Sequence, residues 1–137
     1  MRITTQGEYG LRCLLYIASQ KQSKPISIAE ISAYEKLPRD YVEQLLLKLR
    51  RNNIIKSVRG VRGGYLLALK PKDITVFVVI KALEKETFEL ICVREIKKGC
   101  VHHLNGQCTI RPLWEKLKDH VDGFLKSYTL EHLKKMM

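Results

Sequence analysis

Acidic residues are scarce in this chain of 137: 14 Asp and Glu stand against 25 Lys and Arg, for a formal net charge of +11. Such an excess points to a polyanionic partner, nucleic acid or a membrane surface, unless it is only a basic solvated face. Long apolar runs are missing, and Met1 to Gly10 is polar. Neither a membrane span nor a secretory leader is readable, so the chain is expected in the cytoplasm without a membrane partner. In that reducing compartment the four cysteines are not expected to form structural disulfides. No C-x-x-C pair occurs, which argues against the usual zinc fingers and ribbons. No Ser, His and Asp set and no paired carboxylates stand at a readable catalytic spacing, so an enzyme is not expected. Internal repeats and low-complexity segments are also lacking.

What is present fits one domain with a helical appendage, with 45% apolar residues to build a core. Thr5 to Gln20 reads as a helix, with Thr5 and Glu8 at capping-box spacing. A second helix opens at Ser27, where Ser27 and Glu30 repeat that spacing. Leu37-Pro38 breaks it, because the residue before proline avoids helical dihedrals. Pro38 suits the start of a third helix, Arg39 to about Asn52. Ile54 to Val58 and Tyr65 to Leu69 are β-prone, and the turn between them is rich in glycine and arginine. Asp73 or Thr75 can cap a fourth helix with Val76, Val79, Ile80 and Leu83 facing inward. From Arg111 the helical period returns in Leu113, Leu117, Val121, Phe124 and Tyr128, widened by Trp114 and Leu125. So broad a stripe calls for cover by a second subunit's helix or by its own domain. Thr129 to Met137 reads as a polar-faced tail. The expected fold is mainly α with a small β-hairpin, a winged helix-turn-helix plus a long C-terminal dimerisation helix. Its parts are a DNA-binding domain over 1–85, a cysteine-containing loop over 86–110, and a dimerisation helix and tail over 111–137.

The basic charge is concentrated. From Lys48 to Lys72 there are eight basic residues and no acidic one. That stretch covers the end of the third helix and the hairpin. In a winged fold the third helix enters the major groove, and Arg39, Tyr41, Glu43 and Gln44 are its available readers. Lys48, Arg51 and Lys56 are expected at phosphates. Arg59 and Arg62 at the hairpin tip suit the negative field of a narrow minor groove. Taken singly, Glu43 and Gln44 also read as ordinary surface residues. Gly60, Gly63 and Gly64 do not make a dinucleotide fingerprint, since no strand-turn-helix unit surrounds them.

Residues 86–110 show no clear period, and so long a loop needs some other constraint. A bound metal would supply one. Cys92, Cys100 and Cys108 are evenly spaced there, with seven residues between neighbours. Soft thiolates suit an iron–sulfur cluster, zinc or copper(I). Arg94, Lys97 and Lys98 would lower thiol pKa values and offset an anionic cluster. His102 and His103 are alternative ligands. Thiol-based redox sensing and no ligand at all stay open. Cys13 reads as a small buried apolar residue, and His120 and His132 as solvated.

Four stretches carry a resemblance. They are M-R-I-T-T-Q-G-E-Y-G-L-R at the start, Y-V-E-Q-L-L-L-K-L-R-R-N in the third helix, S-V-R-G-V-R-G-G-Y-L-L in the wing and G-F-L-K-S-Y-T-L-E-H-L near the end. Together they resemble the IscR/NsrR-like family of bacterial winged-helix transcriptional regulators, over nearly the whole length. The resemblance implies a homodimer on double-stranded DNA and an iron–sulfur cluster, [2Fe-2S] or [4Fe-4S], held by Cys92, Cys100 and Cys108. In IscR-type members a histidine three residues past the last cysteine completes the site; here that position is Arg111. In NsrR-type members an acidic residue of the partner's first helix serves, and Glu8 occupies that place, although the capping box explains it equally well. The cysteine spacing is longer than in IscR-type members, which leaves the cluster type open, and some members, the CymR type, lack a cluster. The implied function is a transcriptional regulator, a repressor, that senses iron–sulfur status, redox or nitric oxide. The alternatives are the same fold sensing through thiols, zinc or a protein partner, and an iron–sulfur or zinc enzyme or electron carrier. The last would not need a basic hairpin and helix.

Overall fold

The computed structural model describes residues 3–85 and 108–137. Its first helix, α1, runs Thr5–Ser19 and buries Cys13, Leu14, Ile17 and Ala18. The anticipated Thr5–Glu8 capping box is not formed. Thr4 is the N-cap and its side chain makes no capping bond. Glu8 instead turns along the helix to Arg12. α2 spans Ile28–Glu35, and there the Ser27 hydroxyl does accept from the Glu30 amide at 3.1 Å. Such a cap contributes about 1 kcal/mol. Lys36 in the left-handed region ends α2, and Pro38 opens α3, Arg39–Arg51. Its Val42, Leu45, Leu46 and Leu49 are buried at helical spacing, so one face of α3 belongs to the core and the other is left outside.

Two short antiparallel strands follow, β1 Ile55–Val58 and β2 Gly64–Leu67, with Ile55 opposite Leu67 and Val58 opposite Gly64. The ribbon is not left to stand alone. Tyr65 exchanges two backbone hydrogen bonds with Ile26, at 2.8 and 2.9 Å, which fastens the wing to the loop before α2. Gly64 is required by this approach: a Cβ there would lie 2.5 Å from the Ile26 carbonyl oxygen. After a single 3₁₀ turn at Pro71–Asp73 comes α4, Val76–Glu84, capped by the Thr75 hydroxyl. Its Val76, Val79, Ile80 and Leu83 face inward as the pattern required.

The long helix α5, Arg111–Ser127, has no fully buried residue. Residues 129–137 differ from the polar tail expected. Leu130–Lys135 form a further helix, α6, opened by a capping box between Thr129 and His132. Leu130 is completely buried with α1 and Ile74 in the main core. Its amide donates to the Ile74 carbonyl at 2.9 Å, and the Val76 amide donates to the Tyr128 carbonyl at 2.9 Å. The end of the chain is thereby stitched to the segment between the wing and α4. Histidine at the third helical position, in place of the usual Glu or Gln, concealed this cap in the sequence.

Candidate nucleic-acid interface

The turn at Leu37–Pro38 sets α2 against α3, and their buried faces meet around Ile31, Val42 and Leu46. That burial leaves Arg39, Glu43 and Gln44 exposed on the outer side of α3. Their spacing places them within about one and a half helical turns of each other, near the N-terminus, where a recognition helix meets base edges. Tyr41 is only half exposed, with its ring edge-on to Tyr9 at 6.2 Å. It is thus partly committed to holding α3 on α1.

The basic residues separate into two groups. Arg51, Lys56, Arg59 and Arg62 are all exposed. Arg59 and Arg62 flank the hairpin tip, with a fully exposed Val61 between them. Arg50, which the sequence reading did not single out, is exposed at the end of α3 and bonds the Ser57 hydroxyl at 3.5 Å, joining α3 to the wing. Lys48 is different. It is half-buried, and its ammonium donates to the Gln6 side-chain oxygen and to the Leu83 carbonyl at 3.4 Å. The phosphate role expected of it competes with these internal partners. Between the wing tip and the start of α2 lies an open cleft of about 550 Å³ lined by Ser23, Lys24, Ser27, Glu30, Arg62 and Gly63, among others.

Of the proposed metal ligands, Cys92, Cys100, His102 and His103 lie outside the described residues. Cys108 is half-buried just before α5. Glu8 is exposed on α1, where its carboxylate accepts from Arg12 at 2.8 and 2.9 Å, and Arg12 lies 5.7 Å from the Tyr9 ring. An exposed pair of this kind is worth at most about 1 kcal/mol, so it does not bar the carboxylate from another ligand. Among the described residues no three His, Cys, Asp or Glu side chains converge. Three thiols plus a carboxylate or imidazole remain a donor set that suits iron–sulfur chemistry. Cys13 is not part of it: burial, then the nearby Glu35 charge, pushes its thiol up to about 12, leaving it protonated and inert. His120 and His132 are exposed, and the latter's Nδ1 accepts from the Thr129 amide at 3.1 Å.

A tight helix-turn-helix, an exposed reading face on its second helix and an arginine-tipped wing define a winged-helix DNA-binding regulator. Relatives of known sequence and structure agree. The profile of the Rrf2 family, described as an iron-dependent transcriptional regulator, matches residues 3–136, and the chain belongs to this family. It is 36% identical over 133 residues to the transcriptional regulator IscR of Photorhabdus laumondii, covering 97% of this chain and 79% of that protein. The IscR of Serratia proteamaculans is 35% identical over the same shares. Among solved structures, CymR, the global cysteine regulator of B. subtilis, superposes with a TM-score of 0.80 at 31% identity, covering 100% of this chain and 98% of that one. IscR of T. potens gives 0.73 at 31% identity, covering 98% and 87%. The chain is a DNA-binding transcriptional regulator and not an enzyme. None of the described helices is long and apolar enough to cross a membrane.

Proposed function

We propose that this regulator is a homodimeric repressor that senses iron–sulfur status, redox or nitric oxide through a cluster held by Cys92, Cys100 and Cys108. The observation that carries this reading is three equally spaced cysteines ahead of α5 in a chain matching an iron-dependent family. When bound, the cluster supplies a group whose state follows iron, oxygen and nitric oxide. The rest falls to the chain's own residues. The thiolates hold the cluster, and Arg94, Lys97 and Lys98 offset its negative charge. Glu8 of the partner subunit is the proposed fourth ligand, with His102 and His103 as alternatives. Glu8 would have to leave Arg12 to serve, which gives that corner of the site a competitor within its own helix.

On the DNA side, Arg39, Glu43 and Gln44 read base edges, with Tyr41 supporting them against Tyr9. Arg51 and Lys56 contact phosphates, and Arg59 and Arg62 enter the minor groove. The second subunit is argued from α5. Leu113, Trp114, Leu117 and Phe124 are 57%, 42%, 38% and 62% exposed on one stripe. Fully burying such a side chain contributes about 1.5–3 kcal/mol, and covering the roughly half still exposed contributes about half of that each; a second copy of the same helix offers a matching stripe.

A second reading, thiol-based sensing without a cluster, is favoured by the likeness to S. aureus CymR, solved in an oxidised form, with a TM-score of 0.72 at 30% identity. Anaerobic purification with iron, sulfide and zinc analysis separates the two. A coloured protein with iron and sulfide in matching amounts supports the cluster. A colourless one whose cysteines oxidise reversibly supports thiol sensing, and zinc in place of iron would overturn both.

A further inference from the structure

We infer that Lys48 is not a phosphate contact but a positioning residue, which fixes the recognition helix to the C-terminal end of α4. Three helices meet at this point. From α3, the Lys48 ammonium reaches the Gln6 side chain in the first turn of α1 and the Leu83 carbonyl in the last turn of α4. The last carbonyls of a helix have no partner within it and carry its negative dipole end, so a lysine ammonium is favoured there. From α4, the neighbouring Glu84 carboxylate accepts from both the amide and the hydroxyl of Thr4, each at 2.6 Å. It thereby caps α1 from another helix, at the positive dipole end.

Two glycines in α1 make the approach possible. A Cβ at Gly7 would lie 2.4 Å from the Glu84 carboxylate, and one at Gly10 would lie 2.4 Å from a Leu83 methyl. Their spacing of three puts both on one face of α1, and α4 ends against that face. Glycine inside a helix costs roughly 1 kcal/mol relative to alanine, and at Gly10 the close packing of Leu83 explains that cost.

The chain leaves this junction at Lys85, with positive φ, toward the segment that bears Cys92 and Cys100. A displacement at the end of α4 therefore acts on α3 through Leu83 and Lys48, within one subunit. The junction stands on the contacts above; only its use as a route for the signal rests on the proposed function.

The test is DNA binding by the full chain, free of metal, as a function of salt. Lys48→Met keeps length and removes the donor. Affinity for the preferred site is expected to fall at least threefold, while non-specific binding and the salt slope stay as in the parent. A phosphate contact would instead lower the log–log salt slope by about 0.9 and weaken all sequences alike, and that result overturns the inference. Glu84→Ala loosens the same junction from the α4 side. Its effect on specific affinity is expected to shrink in the Lys48→Met background, whereas strictly additive effects refute the coupling. Should Lys48→Met fail to fold, Lys48→Gln is the milder variant and is read by the same two criteria. Protein that comes out of anaerobic purification without iron and sulfide, before any stripping, and yet gives a coupled cycle refutes the cluster and leaves the junction standing; protein that comes out with iron and sulfide but gives an additive cycle does the reverse.

Discussion

Replacing Leu130 by alanine removes the side chain through which the end of the chain enters the core. Leu130 is 0% exposed and packs in the cluster that also holds Ile74 and the apolar face of α1. Buried Leu→Ala changes cost about 2–5 kcal/mol, the larger values where the site cannot collapse around the loss. Here the backbone on both sides is pinned. The Leu130 amide is bonded to Ile74, Tyr128 to Val76, and Thr129 is capped by His132. Collapse is therefore restricted, and a loss of about 3–4 kcal/mol is expected. For a domain of this size that is a large share of the total stability. Urea denaturation followed by circular dichroism, at one fixed protein concentration, measures it. A loss below about 1 kcal/mol would mean that α6 is not docked in solution, and with it the placement of α5 would fall.

Arg59→Ala should weaken binding to the preferred site by about 1–3 kcal/mol and relax preference at the positions under the wing, read by competition binding. Lys56→Ala should weaken all sequences alike and flatten the log–log salt slope by about 0.9, so the two variants separate specific from positioning contacts. Val121→Asp places a charge in the proposed interface stripe and should give monomers in sedimentation velocity, where a monomeric parent would refute the dimer. Cys13, with its thiol raised from 9.0 to about 12, should resist alkylation in the native protein at pH 8. The unfolded chain ionises this thiol near 9 while the folded one keeps its proton. The Cys13 contribution to stability should therefore fall as pH rises from about 9 toward 12, and Cys13→Ala should remove that part of the dependence.

The helix-turn-helix was legible because its signals are local: Ser27 caps, Pro38 starts a helix, and leucines in α3 repeat at helical spacing. The wing was legible from two β-prone runs around a glycine-rich turn. Contacts between distant segments were not. Glu8 and Thr5 have the spacing of a capping box, but Glu84, far away in sequence, already occupies the α1 N-terminus through Thr4. Lys48 lies in a basic stretch and reads as surface, yet its length allows the ammonium to reach Gln6 and Leu83. Gly7 and Gly10 lie where α4 closes on α1, and that meaning shows only once the two helices are seen together. The α6 cap was missed because histidine fills the acidic position. For the proposed cluster site, spacing and residue type single out Cys92, Cys100 and Cys108 as candidates, and a ligand from a partner subunit would leave no local signature in one chain.

The most direct measurement is the dissociation constant for a selected operator at one fixed salt concentration, taken anaerobically for protein with its iron and sulfide verified and for the same protein stripped by a chelator. The predicted result is a difference between the two states of roughly 5- to 150-fold, the usual range of coupling between two sites on one protein. Equal constants, with iron and sulfide bound in the first sample and absent from the second, would contradict cluster sensing.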